Sequence, residues 1–241
     1  MKEKKTDESL YVYQRDKLKE NLDIREFKWT KKQKEFIDIA LDKNTKVIFV
    51  SGPAGTSKTL LAVYCGLKLL DQKRVSELIY IRSAVESSSF KIGFLPGEVS
   101  DKFYFYNLPF TDKLEELLPK HQVKALEKEK RVFSYPPNYA RGMSWNAKCF
   151  IYDECQNSGH NEIVTILTRF GHFSKCFILA DPKQTDLNNG SRGGFNNLYN
   201  HFNNYPLAKE NGIYCFKFET EDIVRSDFLK FLVEALEVMR P

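Results

Sequence analysis

The sequence predicts an α/β fold, a mostly parallel sheet flanked by helices, and three observations predict it. Short continuous apolar runs recur along the chain, as strands buried on both faces require. Segments of helical length and periodicity fall between them. Two of the apolar runs end in aspartates, where a parallel sheet presents its carboxyl edge and binds ligands. Strands alternating with helices imply a parallel sheet with right-handed connections.

Taken in order, residues 1 to about 28 are polar, mixed in charge and weakly periodic, and read as an N-terminal arm or a loosely attached helix. The domain itself is expected over residues 29–241. In "KKQKEFIDIALDK" the apolar residues Phe36, Ile37, Ala40 and Leu41 form a helical stripe. "KVIFV" (46–50) is a buried-strand run, and "KTLLAVYCGLKLL" (58–70) has the length and composition of a helix. "ELIYIR" (77–82), "KCFIYD" (148–153), "KCFILAD" (175–181) and "IYCFKFE" (213–219) repeat the strand signature. Helices are expected near 112–130, 160–171, 193–203 and 221–238. With no internal repeat or low-complexity segment, one domain is the default.

The 241 residues suffice for one large core, and 42% hydrophobic with 29% charged residues is ordinary for a soluble globular chain. No run approaches the ~18 apolar residues of a membrane span. The opening "MKEKKTDESLYVYQRDKLKE" has no apolar core of a secretory signal. These features point to the cytoplasm and away from a membrane. Five cysteines without a C-x-x-C pair, most of them in or beside apolar runs, read as reduced buried thiols. The four histidines show no metal-ligand spacing. A net charge of +5 is compatible with a polyanionic partner without identifying one, because acids and bases are interleaved.

Chemistry concentrates in three places. The first is "GPAGTSKT", which comprises Gly52, Pro53, Ala54, Gly55, Thr56, Ser57, Lys58 and Thr59. It has the form G-x-x-x-x-G-K-[ST] except that Ser57 stands where the last glycine belongs. A strand before it and a helix after it give the pattern its meaning. The two glycines permit close backbone approach, successive N–H groups form an anion nest, Lys58 reaches the β- and γ-phosphates, and Thr59 ligates Mg²⁺. Serine is expected to be tolerated at position 57 if its φ stays negative. The second is "CFIYDECQN", where Asp153 suits a Mg²⁺ ligand and Glu154 orients or deprotonates the attacking water. The third is "FILADPKQTDL", where a strand ends in Asp181 and Gln184 follows, an amide able to sense a γ-phosphate without changing charge. The aromatic stretch "KFYFYNLPF" (102–110), with Tyr104 and Tyr106, offers base-stacking faces, although a core or subunit contact is the favoured reading.

Together these segments resemble the PhoH-like ATPases, single-lobed P-loop NTPases of RecA-like fold related to superfamily 1 helicases, with phage-type members among them. The match covers residues 30 to 237. It includes "GPAGTSKT", "RSAVES" followed by "GFLPGE", "YARGMSWNA" leading into "YDECQN", "LTRFGHFSK", "ADPKQTDL" and "EDIVRSDF". The resemblance implies that Gln33 reads adenine, so that ATP is the nucleotide. It implies phosphate and Mg²⁺ binding by Lys58 and Thr59, metal binding by Asp153, and catalysis by Glu154. It also implies a γ-phosphate sensor in Gln184 and an arginine finger in Arg225. Arg82, Ser83 and Arg141 match segments that face nucleic acid. The departures are Ser57 for glycine, Ser83 for proline and Ala180 for glycine. None removes a charged or metal-binding group.

Superfamily 1 helicases place the nucleotide between two lobes, whereas here the elements leave room for one. A finger such as Arg225 must therefore act on its own subunit or a neighbour's, and a homo-oligomeric ring, a hexamer by resemblance, supplies the second arrangement. The expected function is Mg²⁺-dependent ATP hydrolysis coupled to single-stranded nucleic acid, RNA favoured over DNA, as a helicase-like motor. A bacterial cytoplasm, or that of an infected host, is the expected setting. A second reading is an ATP-controlled assembly or binding module with slow or no turnover. A third, a small-molecule phosphotransferase, lacks any visible acceptor site.

Overall fold

The computed structural model describes residues 18–82, 99–135, 144–184 and 193–224, with isolated positions at 137 and within 228–235 and with backbone alone for 99–107. Among the described residues, six strands form one sheet in the order β3-β2-β4-β5-β1-β6, every pairing parallel. They are β1 (Val47–Ser51), β2 (Glu77–Arg82), β3 (Val132–Tyr135), β4 (Lys148–Asp153), β5 (Lys175–Ala180) and β6 (Ile213–Lys217). The expected α/β, P-loop NTPase architecture is present.

Alternation along each strand divides the interior into two cores. Ile48, Val50, Leu78, Tyr80, Cys149, Ile151, Phe177 and Leu179 face one side. There they pack on α1 (Lys31–Leu41), α2 (Lys58–Asp71), α3 (Val99–Leu117) and α4 (Lys120–Lys128). Phe49, Ile79, Ile81, Phe150, Tyr152, Cys176 and Ile178 face α5 (His160–Leu167) and α6 (Gly194–Asn204). Continuing the alternation, Arg82, Asp153 and Asp181 emerge on the α2 side of the sheet's carboxyl edge. Helix α2 is buried from Leu60 to Leu70 except at Lys68, so its sequence is apolar nearly all round.

Helix α1 starts in a capping box. The Gln33 N–H donates to Thr30 Oγ1 at 3.2 Å, and the Thr30 N–H donates to Gln33 Oε1 at 3.0 Å. Residues 18–28 run along the domain, with the Leu22 N–H bound to Asp71 Oδ1, the Asp23 N–H to Gln122 Oε1 and the Arg25 N–H to the Leu117 carbonyl.

Three elements differ from the sequence expectation. The helix expected at 112–130 is two helices: α3 begins at Val99 and runs through Pro109, and Pro119 caps α4. Proline in a helix interior forfeits a hydrogen bond, which is why the sequence pattern starts after it. Strand β3 is absent from the sequence expectation, because "VFSY" is too short and mixed to register as an apolar run. Its place comes from pairing with β2, Leu78 opposite Val132 through Ile81 opposite Tyr135. The helix expected at 221–238 differs at its start: Thr220–Asp222 is a 3-10 turn, whereas the described positions beyond Val224 (228, 231, 232 and 235) are helical. Four cysteines are buried free thiols, with Cys215 half-buried. Among the described residues no helix is long and apolar enough to cross a membrane.

Candidate functional site

The strand order places the chemistry. Strand β1 lies between β5 and β6, and β5 separates it from β4, so the loop after β1 faces Asp181 directly and Asp153 one strand further on. Gly52 is required here by close approach: a Cβ would come within 2.7 Å of Phe218 Cβ. The Gly52 N–H reaches the Ala180 carbonyl at 3.2 Å, and the Val224 N–H reaches the Gly55 carbonyl at 3.2 Å. The loop is thus tied to β5 on one side and to the segment leaving β6 on the other. Thr56 is fully buried, and its hydroxyl donates to the Pro53 carbonyl at 2.9 Å.

The Lys58 ammonium donates to the carbonyls of Gly52 at 2.7 Å and Pro53 at 2.8 Å. Burial holds its pKa below the usual lysine value, opposed by Asp181, Asp153 and Glu154. Asp181 Oδ2 accepts the Ala54 N–H at 2.9 Å, and Oδ1 accepts the Lys183 N–H at 3.1 Å.

Asp153 is 6% exposed, and a carboxylate so deep needs partners. Its Oδ2 accepts from Thr59 Oγ1 at 3.0 Å and from the Tyr80 hydroxyl at 2.8 Å, and its Oδ1 accepts the Glu154 N–H at 3.0 Å. Burial, followed by the Glu154 charge, pushes its pKa up, while the Tyr80 and Thr59 hydroxyls pull it down. Tyr80 is itself stacked on Phe110, ring centroids 5.0 Å apart.

Glu154 sits in the left-handed region at φ +56°. That turn swings its side chain away from Asp153. Its Oε2 accepts from Gln156 Nε2 at 2.6 Å, and its Oε1 lies 4.0 Å from the Arg82 guanidinium. Arg82 is directly opposite Asp153 in the β2–β4 register, which accounts for the meeting. Gln156 is buried, and its Oε1 accepts the Asp181 N–H at 3.1 Å, so one amide joins the general-base candidate to the turn carrying Gln184. The Gln184 side chain is exposed to the same cleft.

One cleft of about 600 Å³ therefore brings together Gln33, Ala54, Gly55, Ser57, Lys58, Thr59, Asp153, Glu154 and Gln184. Phe27 and Trp29 wall its far end beside Gln33, whose Oε1 is already oriented by the capping box. A hydroxyl and a carboxylate held 3.0 Å apart are hard oxygen donors of the kind Mg²⁺ takes beside phosphate oxygens. Together with the anion nest and Lys58, the residues fit Mg²⁺ and a nucleoside triphosphate. Arg225, Ser83 and Arg141 lie outside the described residues, as do the side chains of Tyr104 and Tyr106. Sequence reasoning missed Tyr80 and Gln156. A tyrosine in an otherwise apolar strand was the available signal for the first. The second lay unassigned two residues after Glu154.

The condition set for serine at position 57, a negative φ, is not met. Ser57 has φ +64° and ψ 24°, the left-handed conformation that glycine adopts freely. Its backbone is set by the turn into α2.

A family model described as PhoH-like protein matches residues 27–237. The chain is 32% identical to a PhoH-like protein of Mycobacterium tuberculosis over 206 residues, 86% of this chain and 56% of the relative. It is 31% identical to one from Bacillus subtilis over 210 residues, 85% of this chain and 62% of the relative. A Synechocystis relative is 32% identical over 208 residues, 86% of this chain and 61% of the relative. The chain thus spans little more than half the length of these relatives.

Left-handed geometry at a non-glycine residue costs about 1–2 kcal/mol. Glycine removes that cost but gives back part of it as unfolded-state entropy, about 0.4–1 kcal/mol. Ser57→Gly is therefore expected to raise unfolding stability by about 0.5–1 kcal/mol in urea titration. An unchanged or lowered midpoint contradicts the strain.

Proposed function

The chain belongs to the PhoH-like family, whose members are generally ATP-binding P-loop proteins, and from that premise we propose that it hydrolyses ATP with Mg²⁺ in response to single-stranded nucleic acid, RNA favoured over DNA. The observation that carries this reading is the placement of Glu154. It is held by Gln156 and Arg82 in one cleft with Lys58, Thr59 and Asp153. Bound Mg²⁺ supplies charge neutralisation on the phosphates. Thr59 and Asp153 would hold it, the loop N–H groups and Lys58 would cradle the phosphates, Gln33 would meet the base, and Gln184 would sense the γ-phosphate. Glu154 takes the proton of the attacking water.

Coupling to nucleic acid has a structural route in Arg82. Its guanidinium is about a third exposed and shares Glu154 with Gln156. A phosphodiester competing for Arg82 releases one oxygen of Glu154 for water. In this reading Arg82 restrains the base until nucleic acid arrives. The left-handed Ser57 favours a second reading, an ATP-binding assembly switch with slow or no turnover, since a loop that stores strain is relieved by changing shape.

Self-association in a ring, with Arg225 acting on its own or a neighbouring subunit, is supported by exposed apolar side chains after β6. Phe228 is 71% exposed and Phe231 65%, on the segment that follows the cleft residue Val224. Exposed apolar side chains that form a contiguous patch mark contact surfaces.

Three measurements test these proposals. Glu154→Gln is expected to lower ATP turnover by about 10²-fold or more while nucleotide binding persists. Turnover that is absent from the unmodified chain, with or without RNA or DNA, leaves the switch. Arg82→Ala is expected to raise the rate without nucleic acid and to blunt stimulation by it; an unchanged stimulation ratio removes Arg82 from the coupling. Sedimentation velocity is expected to show an oligomer that Phe231→Glu dissociates, whereas a monomer with full ATPase activity rules out the ring.

A further inference from the structure

The opposite edge of the sheet carries a second cleft, of about 970 Å³, that the nucleotide site does not use. It opens where β1, β4, β5 and β6 begin, far along every strand from Lys58 and Asp153. Its size suits a ligand as large as a nucleotide.

Its charge is one-sided. Lys43, Lys46, Arg74 and Lys175 line it; among the described lining residues only Glu210 carries an opposing carboxylate, and Asp42 acts on Lys175 from beside the cleft. Lys175 is only 4% exposed, and its ammonium donates to the carbonyls of Ala40 at 2.6 Å and Asp42 at 2.7 Å. Carbonyl oxygens anchor a cation without neutralising it. Burial, followed by the neighbouring Arg74 charge, lowers the Lys175 pKa to about 8, with Asp42 acting against the shift.

The floor carries a buried hydroxyl with nothing to bond. Thr45 is 2% exposed and lines the cleft, and its Oγ1 has no hydrogen-bond partner among the described residues. Buried polar groups are nearly always satisfied, and exceptions call for an explanation. A ligand oxygen that displaces the side chains covering Oγ1, which solvent does not reach, is one.

The wall presents an aromatic ring at a conformational cost. Phe173 is 43% exposed and sits at φ +59°, a conformation unfavourable for a bulky residue. The surrounding turn is fastened to the entry of β4. The Gly171 N–H donates to the Trp145 carbonyl at 2.8 Å, the His172 N–H to Asn146 Oδ1 at 2.9 Å, the Ala147 N–H to the His172 carbonyl at 2.7 Å, and the Ser174 hydroxyl to the Trp145 carbonyl at 2.6 Å. A rigid turn that holds an exposed ring in a strained backbone is a platform, and flat aromatic faces stack nucleobases.

We propose that this cleft binds a nucleoside phosphate, free or at the end of a single-stranded chain, with its phosphate at Lys43, Lys46 and Thr45 and its base on Phe173. Cations, an unsatisfied donor and an aromatic platform are the three elements such a ligand needs, and they converge here without any part of the ATP site.

The test uses the full chain with its first cleft saturated by Mg²⁺ and a non-hydrolysable ATP analogue. Adenosine monophosphate and a 5′-phosphorylated hexauridylate are titrated separately by calorimetry. Saturable binding is expected, weakened tenfold or more by Lys46→Glu and by Phe173→Asn, and several-fold by Thr45→Val. Asparagine tolerates the left-handed backbone and valine removes only the hydroxyl, so both variants keep the fold. The ATP-analogue affinity is expected to stay unchanged in all three. Binding of the monophosphate identifies a free nucleotide as ligand; binding of the oligonucleotide alone identifies a chain end. Absence of saturable binding for both probes, or binding that all three variants leave intact, overturns the proposal and leaves the ATPase reading untouched.

Discussion

A buried carboxylate is the constraint around which the site is arranged. Asp153 sits at the end of a strand with neighbours on both sides, where an ionised group is tolerated only if its oxygens are bonded. Three donors from three elements meet the need: Thr59 on α2, Tyr80 on β2 and the Glu154 amide. Each bond fixes something else. Thr59 holds the phosphate loop's exit against β4, although 94 residues separate the partners. Tyr80 needs Phe110 at its face, which joins α3 to the same point. The Glu154 amide turns the chain into the left-handed conformation that sends the next carboxylate elsewhere. Two adjacent acids thereby acquire different surroundings, one buried beside a hydroxyl and one half-exposed between an amide and a guanidinium.

The sheet was legible in the sequence because its strands are buried on both faces and read as continuous apolar runs. The four interior strands announced themselves in that way, and the half-buried edge strand β6 did so by its apolar run alone. The other edge strand, β3, did not, since it is four residues long, is interrupted by Ser134 and is mostly half-buried, so only the partner β2 defines it. The acids and the lysine of the site were legible because strand ends and loops carry them in fixed order. Contacts across elements were not. That Arg82 would meet Glu154 follows from register, and register belongs to the assembled sheet. The sign of φ at Ser57 was not legible, because a turn dictates φ regardless of which residue occupies it.

The two ends of the sheet differ in how they manage charge. At the carboxyl edge, cations and carboxylates face each other around Lys58, so the cleft is balanced apart from what a triphosphate and metal bring. At the amino edge, Lys175 and its neighbours rest on neutral carbonyls and the balance is left positive. Parallel strands add to the asymmetry, because all six point their first amides and their last carbonyls the same way.

The hydrogen bond from the Val224 amide to the Gly55 carbonyl reaches beyond its place in the fold. Gly55 is at φ +89°, inside the turn that wraps a phosphate, and its carbonyl direction is a direct function of that turn. A peptide flip there breaks a bond to the far side of β6. The Val224 amide is consequently a built-in gauge of loop shape. Its exchange with solvent deuterium reads the state of the phosphate nest from a distance, with no label on the nucleotide.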